Sequence, residues 1–201
     1  MLILASQSQA RRNLLESAAI GFETHSAFID ERAVEAKAVA AGSDGPGVAL
    51  ELARAKAAAV SRLSPSAVVI GCDQTLALDE TLLHKPADLA AAARQLDLLR
   101  GRTHHLYAGI ALLRGGKLLW EHVESASLTM RAFSEAERDE VLALEGEAIL
   151  SSVGAYRLEG PSIRLFEDIS GDYFAILGLP LLPLLAALRQ HAPQFLIGAA
   201  A

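Results

Sequence analysis

Apolar runs of strand length alternate with segments of helical periodicity along most of this chain, which limits it to folds in which helices cover a β-sheet. The strand-like runs, most of them rich in Val, Ile, Leu, Tyr or Phe, are Leu2–Ala5, Phe22–Ala27, Ala67–Cys72, His104–Leu113, Lys117–Arg131, Ser162–Ile169 and Tyr173–Leu177. Helical spacing of apolar residues predicts helices over Ala10–Ala19, Val48–Leu63, Leu89–Arg100, Glu135–Glu145 and Leu181–Gln190. The predicted fold class is therefore α/β or mixed α+β.

A glycine pair indicates that the sheet is mixed and not purely parallel. Arg114-Gly115-Gly116 separates Ile110–Leu113 from Leu118–Val123, a pattern typical of an antiparallel hairpin. Ser134 and Glu137 have the spacing of a capping box at the start of a helix. The Ala/Gly-rich segment Ala38–Gly47 is predicted to be a loop and the mobile part of the chain.

Length and charge exclude several classes of protein. With 201 residues we expect one domain over residues 1–191 and a flexible tail over 192–201. A formal net charge of -6 argues against a partner that is a nucleic-acid polymer or a membrane surface, because both require excess basic charge. The start of the chain lacks the pattern of a signal peptide and Cys72 is the single cysteine, so we expect a cytoplasmic protein.

The junction between the first strand and the first helix has the chemistry of a phosphate site. Ser6 and Ser8 occupy the turn, while Arg11 and Arg12 lie in the first turns of the helix. Hydroxyls, unpaired helical N–H groups and guanidiniums would direct positive partial charge at one small volume. In the alternative, the serines only cap the helix and the arginines lie in water.

An acidic residue follows the buried run Ala67-Val68-Val69-Ile70-Gly71-Cys72. We expect Asp73 to lie at the end of a strand, where ligands of α/β sheets bind, and to hold a divalent cation or orient a water. A turn residue that bonds local backbone is the alternative. Cys72 lacks a basic partner in the sequence and is interpreted as a small buried apolar residue rather than a nucleophile.

Other charged residues carry weaker signals when taken singly. Glu31, at the end of the second strand region, and Lys56 are each ordinary surface charges by themselves, whereas Pro86 restricts the backbone beside Lys85. The consecutive histidines His104 and His105 would alternate across a strand and could not both face one metal.

Taken in order, these pieces resemble the Maf family over about residues 2 to 190, and their combination is highly specific. The matching segments are Leu2-Ile3-Leu4-Ala5-Ser6-x-Ser8-x-x-Arg11-Arg12-x-Leu14-Leu15, Ile29-Asp30-Glu31, Leu52-Ala53-Arg54-x-Lys56-Ala57, Ile70-Gly71-x-Asp73, Lys85-Pro86, Leu99-x-Gly101-x-Thr103-His104, Gly154-Ala155-Tyr156-x-x-Glu159-Gly160, Gly171-Asp172-Tyr173-Phe174 and Gly178-Leu179-Pro180-Leu181.

The resemblance implies a nucleoside triphosphate pyrophosphatase. Such an enzyme cleaves between the α- and β-phosphates with a divalent metal cation (Mg²⁺, Mn²⁺ or Co²⁺), giving a nucleoside monophosphate and pyrophosphate. The resemblance also implies an elongated mixed sheet with flanking helices in two lobes, related to the inosine triphosphatase fold, and a homodimer. A housekeeping role in removing non-standard nucleotides follows from the same likeness.

The resemblance also assigns roles to single residues. Asp73 matches the catalytic acid of the family, and Glu31 matches an acidic position that can share the metal with it. Four basic residues match positions that would neutralise charge on the breaking triphosphate, namely Arg11, Arg12, Lys56 and Lys85.

Three positions bear on which base is preferred. The pair Asp73-Gln74 together with Glu159 resembles the branch that hydrolyses 7-methyl-GTP, where the dTTP/UTP branch has Thr and Gln. A carboxylate can accept two hydrogen bonds from the N1–H and amine of a guanine edge, whereas the carbonyls of thymine and uracil would repel it. Ala10 stands at a position that is often arginine in the family.

Other readings compete with a pyrophosphatase specific for 7-methyl-GTP. A pyrophosphatase for dTTP and UTP, or one of broad range, belongs to the same family. A nucleotide-binding regulator of septum formation and cell division is a second class, although the presence of Asp73, Lys56 and Lys85 favours catalysis. A generic α/β phosphatase ranks last, because the chain has no DxD or Cys-x₅-Arg arrangement.

Overall fold

The computed structural model describes residues 1–196, and that range contains seven strands and seven α-helices. The strands are β1 (Leu2–Ala5), β2 (Glu23–Thr24), β3 (Val68–Leu78), β4 (Thr81–Leu83), β5 (Thr103–Arg114), β6 (Lys117–Met130) and β7 (Phe166–Ser170). The helices are α1 (Gln9–Ser17), α2 (Glu31–Ala40), α3 (Gly45–Leu63), α4 (Leu89–Leu99), α5 (Glu135–Glu145), α6 (Tyr173–Ile176) and α7 (Leu181–His191). Short 3₁₀ helices occupy Gly146–Ser151, Pro161–Leu165 and Pro193–Phe195.

The strands form one mixed sheet in the order β2-β1-β3-β5-β6-β7, with β4 paired to β3. The pairs β1/β2 and β1/β3 are parallel, whereas β3/β4 and β6/β7 are antiparallel. Gly115 and Gly116 join the neighbouring strands β5 and β6, and both have positive φ, +56° and +76°, as the tight turn of a hairpin requires. The predicted mixed α/β fold class and the predicted hairpin are confirmed.

The chain divides into two compact units, and the boundaries fall inside β3, β5 and β6. The first unit consists of Met1–Gln74, Tyr107–Glu124 and, as far as the structure describes the chain, residues 172–196. The second unit consists of Thr75–Leu106 and Ser125–Gly171.

In the first unit, β3 separates two hydrophobic clusters because successive side chains of a strand point to opposite faces. Val68, Ile70 and Cys72 pack with residues of α1 and α7 on one face. Ala67 and Val69 pack with α3 on the other face. The odd-numbered positions of β3 therefore face α3.

In the second unit, α5 begins at the predicted capping box. The Ser134 Oγ accepts a hydrogen bond from the backbone N of Glu137, and the Glu137 carboxylate accepts one from the backbone N of Ser134 at 2.7 Å. His104 is buried and His105 is exposed, so the predicted alternation across the strand is confirmed. The His104 Nε2 lies 2.8 Å from the Tyr156 hydroxyl, and burial lowers the pKa of His104 to about 4.

Several predicted elements were wrong. Residues 173–176 form α6 rather than a strand, because Asp172 caps the helix by accepting from the Ala175 N–H at 2.8 Å, and that local bond overrides the strand propensity of Tyr and Phe. Most of Ala38–Gly47 is helical, because Asp30 and Asp44 cap α2 and α3 and alanine is the best helix former. The strand predicted at Ser162–Ile169 begins only at Phe166, after a 3₁₀ helix that starts at Pro161. The region Phe22–Ala27 reduces to Glu23–Thr24, since β2 forms only two pairs with β1.

Residues 192–196, the part of the predicted tail that the structure describes, pack on the first unit. Ala192 is buried, and Phe195 and Leu196 contact the cluster shared by α1 and α7. The remainder of the predicted tail, residues 197–201, lies outside the described residues.

Candidate active site

One lysine joins two carboxylates from distant parts of the first unit. The Lys56 Nζ lies 2.5 Å from the Asp73 Oδ1 and 3.0 Å from the Glu31 Oε1. Lys56 and Asp73 are buried, whereas just over half of the Glu31 side chain is exposed. Three residues proposed from the sequence as catalytic or metal-binding thus meet in one cluster.

The cluster is positioned by close packing of α3 on β3. Asp73 continues the odd-numbered series of β3 that faces α3, which carries Lys56. A Cβ atom at Gly71 would lie 2.1 Å from the Ala53 carbonyl oxygen, so only glycine lets the α3 backbone approach this closely. Gly71 therefore determines how far Lys56 must reach to Asp73.

The predicted place of Asp73 at a strand end was wrong. Pairing with β4 through Leu76–Leu78 extends β3 to Leu78, so Asp73 lies in the middle of the strand. The neighbouring strand β1 ends at Ala5, which pairs with Gly71. Asp73 consequently lies just beyond the end of β1, where a ligand can approach β3 although the strand itself continues.

Glu31 also lies elsewhere than expected. It is the first residue of α2, next to the N-cap Asp30, and does not end a strand. An acidic side chain at this position is stabilised by the helix dipole. The helix start directs Glu31 to Lys56.

The buried Arg11 side chain links three separate segments of the first unit. Its Nε donates to the Gly178 carbonyl at 2.8 Å, and its Nη1 donates to the Ser6 hydroxyl at 3.1 Å and to the Cys72 carbonyl at 3.0 Å. These bonds use three of the five donors of the guanidinium. Among residues 1–196, the two hydrogens on Nη2 have no acceptor and could donate to a ligand.

The other residues of the predicted phosphate site lie at the start of α1. Ser8 is the N-cap and accepts from the backbone N of Arg11 at 3.4 Å, as the capping alternative predicted. The first intrahelical bond runs from the Arg12 N to the Ser8 carbonyl, so the amides of Gln9 and half-buried Ala10 precede it. The Arg12 Nη2 donates to the Gln9 side chain, and within residues 1–196 its buried Nε has no hydrogen-bond partner. Helix start and arginines together retain donors that an anion could use.

Cys72 and Gln74 flank Asp73 but face away from α3. Burial raises the pKa of the Cys72 thiol to about 11, which argues against a thiolate nucleophile and agrees with its predicted role as a small core residue. The Gln74 Nε2 donates to the carbonyls of Ala175 and Ile176, both at 3.0 Å. The amide of Gln74 therefore holds the end of α6 with both of its hydrogens.

Lys85 and Glu159 belong to the second unit. Lys85 is exposed and precedes buried Pro86 just after β4. Glu159 is partly exposed, and its Oε1 lies 3.4 Å from the Arg157 Nε. Sequence reasoning missed the buried Glu145, which lies 3.4 Å from the Arg157 Nη1. Its place at the end of a helix gave no signal that distinguished it from surface charge.

Glu31 and Asp73 are the pair of carboxylates in this cluster that could hold a divalent cation. Two carboxylate oxygens lie within 3.0 Å of the same nitrogen, so the side chains of Glu31 and Asp73 converge on one small volume. Within residues 1–196, no three His, Cys, Asp or Glu side chains group closely enough to hold a metal ion alone. Mg²⁺ is usually held by one or two carboxylates, with substrate phosphates and waters completing the shell, and this pair supplies that number.

The profile of the Maf-like protein family matches residues 1–191. The chain belongs to the Maf family. Three relatives illustrate the match. The 7-methyl-GTP pyrophosphatase of Brucella abortus is 53% identical over 94% of this chain and 96% of the relative. The 7-methyl-GTP pyrophosphatase of Rhizobium johnstonii is 54% identical over 94% and 95%. The nucleoside triphosphate pyrophosphatase of Granulibacter bethesdensis is 50% identical over 94% and 96%.

A solved structure, the HAM1 protein from Coxiella burnetii, is a more distant match to this Maf chain. It has a TM-score of 0.42 and 16% sequence identity, covering 66% of this chain and 73% of the HAM1 chain. Among the residues that the structure describes, no helix has the length and apolarity to cross a bilayer.

Proposed function

We propose that this Maf protein is a nucleoside triphosphate pyrophosphatase that hydrolyses the bond between the α- and β-phosphates, with 7-methyl-GTP as preferred substrate. The observation that carries the proposal is the cluster in which Lys56 joins Asp73 and Glu31. Buried charges of this kind stabilise a fold poorly but suit the binding of a polyphosphate and a water. The names of the relatives agree with this activity.

Asp73 is the proposed acceptor of a proton from the attacking water. Its Oδ1 is held by the Lys56 Nζ, which fixes the orientation of the carboxylate, and its Oδ2 would take the proton. Lys56 would also offset negative charge that develops on the phosphates. Arg11, through Nη2, and Arg12 would bind phosphate oxygens at the start of α1, and Lys85 is proposed to assist the leaving group.

Glu31 and Asp73 would hold the divalent cation, for which Mg²⁺, Mn²⁺ and Co²⁺ are candidates. Bound there, a cation would neutralise phosphate charge and make a coordinated water more acidic. The experiment is titration of activity with Mg²⁺ after treatment with a chelator. Glu31→Gln should shift the half-saturating Mg²⁺ concentration upward by about tenfold, within the range reported for weakened metal shells. An unchanged titration would remove Glu31 from the metal site.

Glu159 is the proposed specificity residue. A 7-methylguanine ring carries positive charge, so a carboxylate that faces its N1–H and amine edge gains Coulomb attraction together with two hydrogen bonds. The Arg157 Nε lies 3.4 Å from the Glu159 Oε1, a weak contact beside which the carboxylate can still accept hydrogen bonds from the base. Uracil and thymine present one N–H between two carbonyls and would gain neither effect.

The proposed reaction is tested by its products. With 7-methyl-GTP, ³¹P NMR should detect pyrophosphate and a monophosphate, whereas orthophosphate and a diphosphate would contradict the proposal. A panel of 7-methyl-GTP, GTP, CTP, dTTP and UTP tests the base. A higher kcat/KM for dTTP or UTP would leave the reaction intact but overturn the 7-methyl-GTP assignment. The cytoplasmic location and the homodimer stay predictions.

A further inference from the structure

A buried carboxylate lies against the segment that carries Glu159. Glu145 is the last residue of α5, and its side chain is only 1% exposed. The Glu145 Oε1 accepts hydrogen bonds from the backbone N of Ser162 at 3.1 Å and from the Ser162 hydroxyl at 2.7 Å. The Glu145 Oε2 lies 3.4 Å from the Arg157 Nη1. One side chain therefore contacts residues on both sides of Glu159.

The backbone between these contacts also packs on the carboxylate. A Cβ atom at Gly160 would lie 2.5 Å from the Glu145 Oε1, so the backbone next to Glu159 approaches the carboxylate as closely as glycine permits. Residues 157–162 thus follow a path determined by Glu145.

Arg157 connects Glu145 to Glu159 directly. Its Nη1 lies 3.4 Å from the Glu145 Oε2, and its Nε lies 3.4 Å from the Glu159 Oε1. Because a guanidinium is planar and rigid, a contact at Nη1 restricts where Nε can point. The direction of the Glu159 side chain is consequently coupled to Glu145.

Burial of the Glu145 carboxylate does not by itself favour folding. Within the described residues its buried Oε2 has no hydrogen-bond partner and only the ionic contact with Arg157. A buried carboxylate that is incompletely bonded is costly, and an apolar or amide side chain would fill such a place at lower cost. This favours a role for the charge beyond packing.

We infer that Glu145 is a positioning residue that orients the Glu159 carboxylate through Arg157 and the Gly160–Ser162 backbone, and so sets the base preference. The inference rests on the proposed role of Glu159. Glu145 does not contact the base. We therefore expect Glu145 to affect the ratio of kcat/KM for 7-methyl-GTP to kcat/KM for UTP. The chemical step, which both substrates share, should not depend on it.

The test is a double-mutant cycle on that ratio with the full chain, using Glu145→Gln, Glu159→Gln and the double variant. We expect Glu159→Gln to lower the ratio by about tenfold, and Glu145→Gln to lower it by about threefold to tenfold. The double variant should match Glu159→Gln alone, because Glu145 acts through Glu159. Glu147→Gln, an equal charge change at an exposed position nearby, is the control and should leave the ratio unchanged.

Two outcomes would overturn the inference about Glu145 while leaving the proposed role of Glu159 intact. If Glu145→Gln lowers kcat/KM equally for 7-methyl-GTP and UTP, its role is structural. If the two effects multiply in the double variant, Glu145 acts independently of Glu159. A ratio that Glu159→Gln leaves unchanged is a different failure, since it refutes the proposed role of Glu159 and removes the basis of the inference with it.

A second variant decides the question if Glu145→Gln does not fold. Ser162→Ala keeps every charge and removes only the 2.7 Å hydrogen bond to Glu145. We expect a fall in the ratio of about twofold to threefold in the folded variant, with thermal unfolding measured in parallel. A lower unfolding midpoint with an unchanged ratio would assign Glu145 to stability and overturn the inference.

Discussion

The two ionic clusters of this protein are built with opposite charge at their centres. In the first unit, the cation of Lys56 gathers the carboxylates of Asp73 and Glu31. In the second unit, the carboxylate of Glu145 gathers the donors of Ser162 and Arg157. We propose that the first arrangement presents oxygens and a cation to a reacting phosphate, whereas the second orients the segment that carries Glu159. The two clusters thus differ in the sign of the central charge and in the exposure of their side chains.

The largest effect expected from this difference is on turnover. Asp73→Asn keeps the shape of the side chain and removes the charge that we propose accepts a proton and binds metal. We expect kcat to fall by at least about a hundredfold at saturating Mg²⁺, the range typical of general-base and metal roles. Asp168→Asn, an exposed position on β7, is the matched control and should stay within twofold of wild type. Near-normal turnover of a folded Asp73→Asn enzyme would contradict a catalytic role for the first cluster.

Removing the central cation should destabilise the first cluster. Lys56→Met leaves buried Asp73 without its partner, and we expect a loss of about 3 kcal/mol in the free energy of unfolding, measured with urea. Adding Asp73→Asn should recover part of that loss, because the uncompensated charge is gone. If the double variant is as unstable as the sum of the single variants, Lys56 and Asp73 are not a coupled pair.

The second cluster should affect selectivity and leave the chemistry alone. Glu159→Gln should raise kcat/KM for dTTP or UTP by about threefold or more while lowering it for 7-methyl-GTP, because an amide both donates and accepts where a carboxylate only accepts. Steady-state kinetics with the three substrates measures this. Equal losses on all three would mean that Glu159 supports the fold or the metal.

Cys72 should affect neither cluster, although it is the residue before Asp73. Cys72→Ala should change kcat by less than about twofold, because the thiol points into the opposite core. Its folded pKa of about 11 exceeds the unfolded value of 9.0, so its contribution to stability is present below pH 9 and lost as the pH rises to 11. The wild type should therefore lose about 1–3 kcal/mol more between pH 8 and 11 than Cys72→Ala does, measured by urea unfolding. Parallel curves for the two proteins would contradict this.

Much of the fold was predictable because long elements carry strong local signals. The helix at Glu135–Glu145 was predicted with its observed bounds from its capping box and periodicity. α2 was missed because its last residues were grouped with the glycines that follow them in Ala38–Gly47, although the deciding signal, an Asp30 cap, was present in the sequence. α6 was missed because four residues are too few to show a period, and a single side-chain bond from Asp172 decides their structure.

Residues of the site were predictable as types but not as contacts. Asp73, Lys56 and Glu31 were proposed from family spacing, yet spacing does not say that one nitrogen bonds both carboxylates. Glu145 was missed because its role arises from contacts with residues 12 to 17 positions later. Such contacts depend on tertiary packing, for which one sequence gives no period or motif.

The close packing of α3 on two glycines of the sheet affects which mutations this protein tolerates. A Cβ at Gly71 would meet the Ala53 carbonyl, and one at Gly109 on β5 would lie 2.5 Å from the Ala49 carbonyl. Two positions of α3 one helical turn apart, Ala49 and Ala53, thus contact glycines on the adjacent strands β5 and β3. These two contacts fix the distance of α3 from the sheet and its rotation about its own axis. Neither glycine bears a functional group, yet a methyl at either position would lift the helix and withdraw Lys56. In a random mutant library we therefore expect inactive but folded variants with substitutions at Gly71 and Gly109 as well as at the charged residues of the proposed active site.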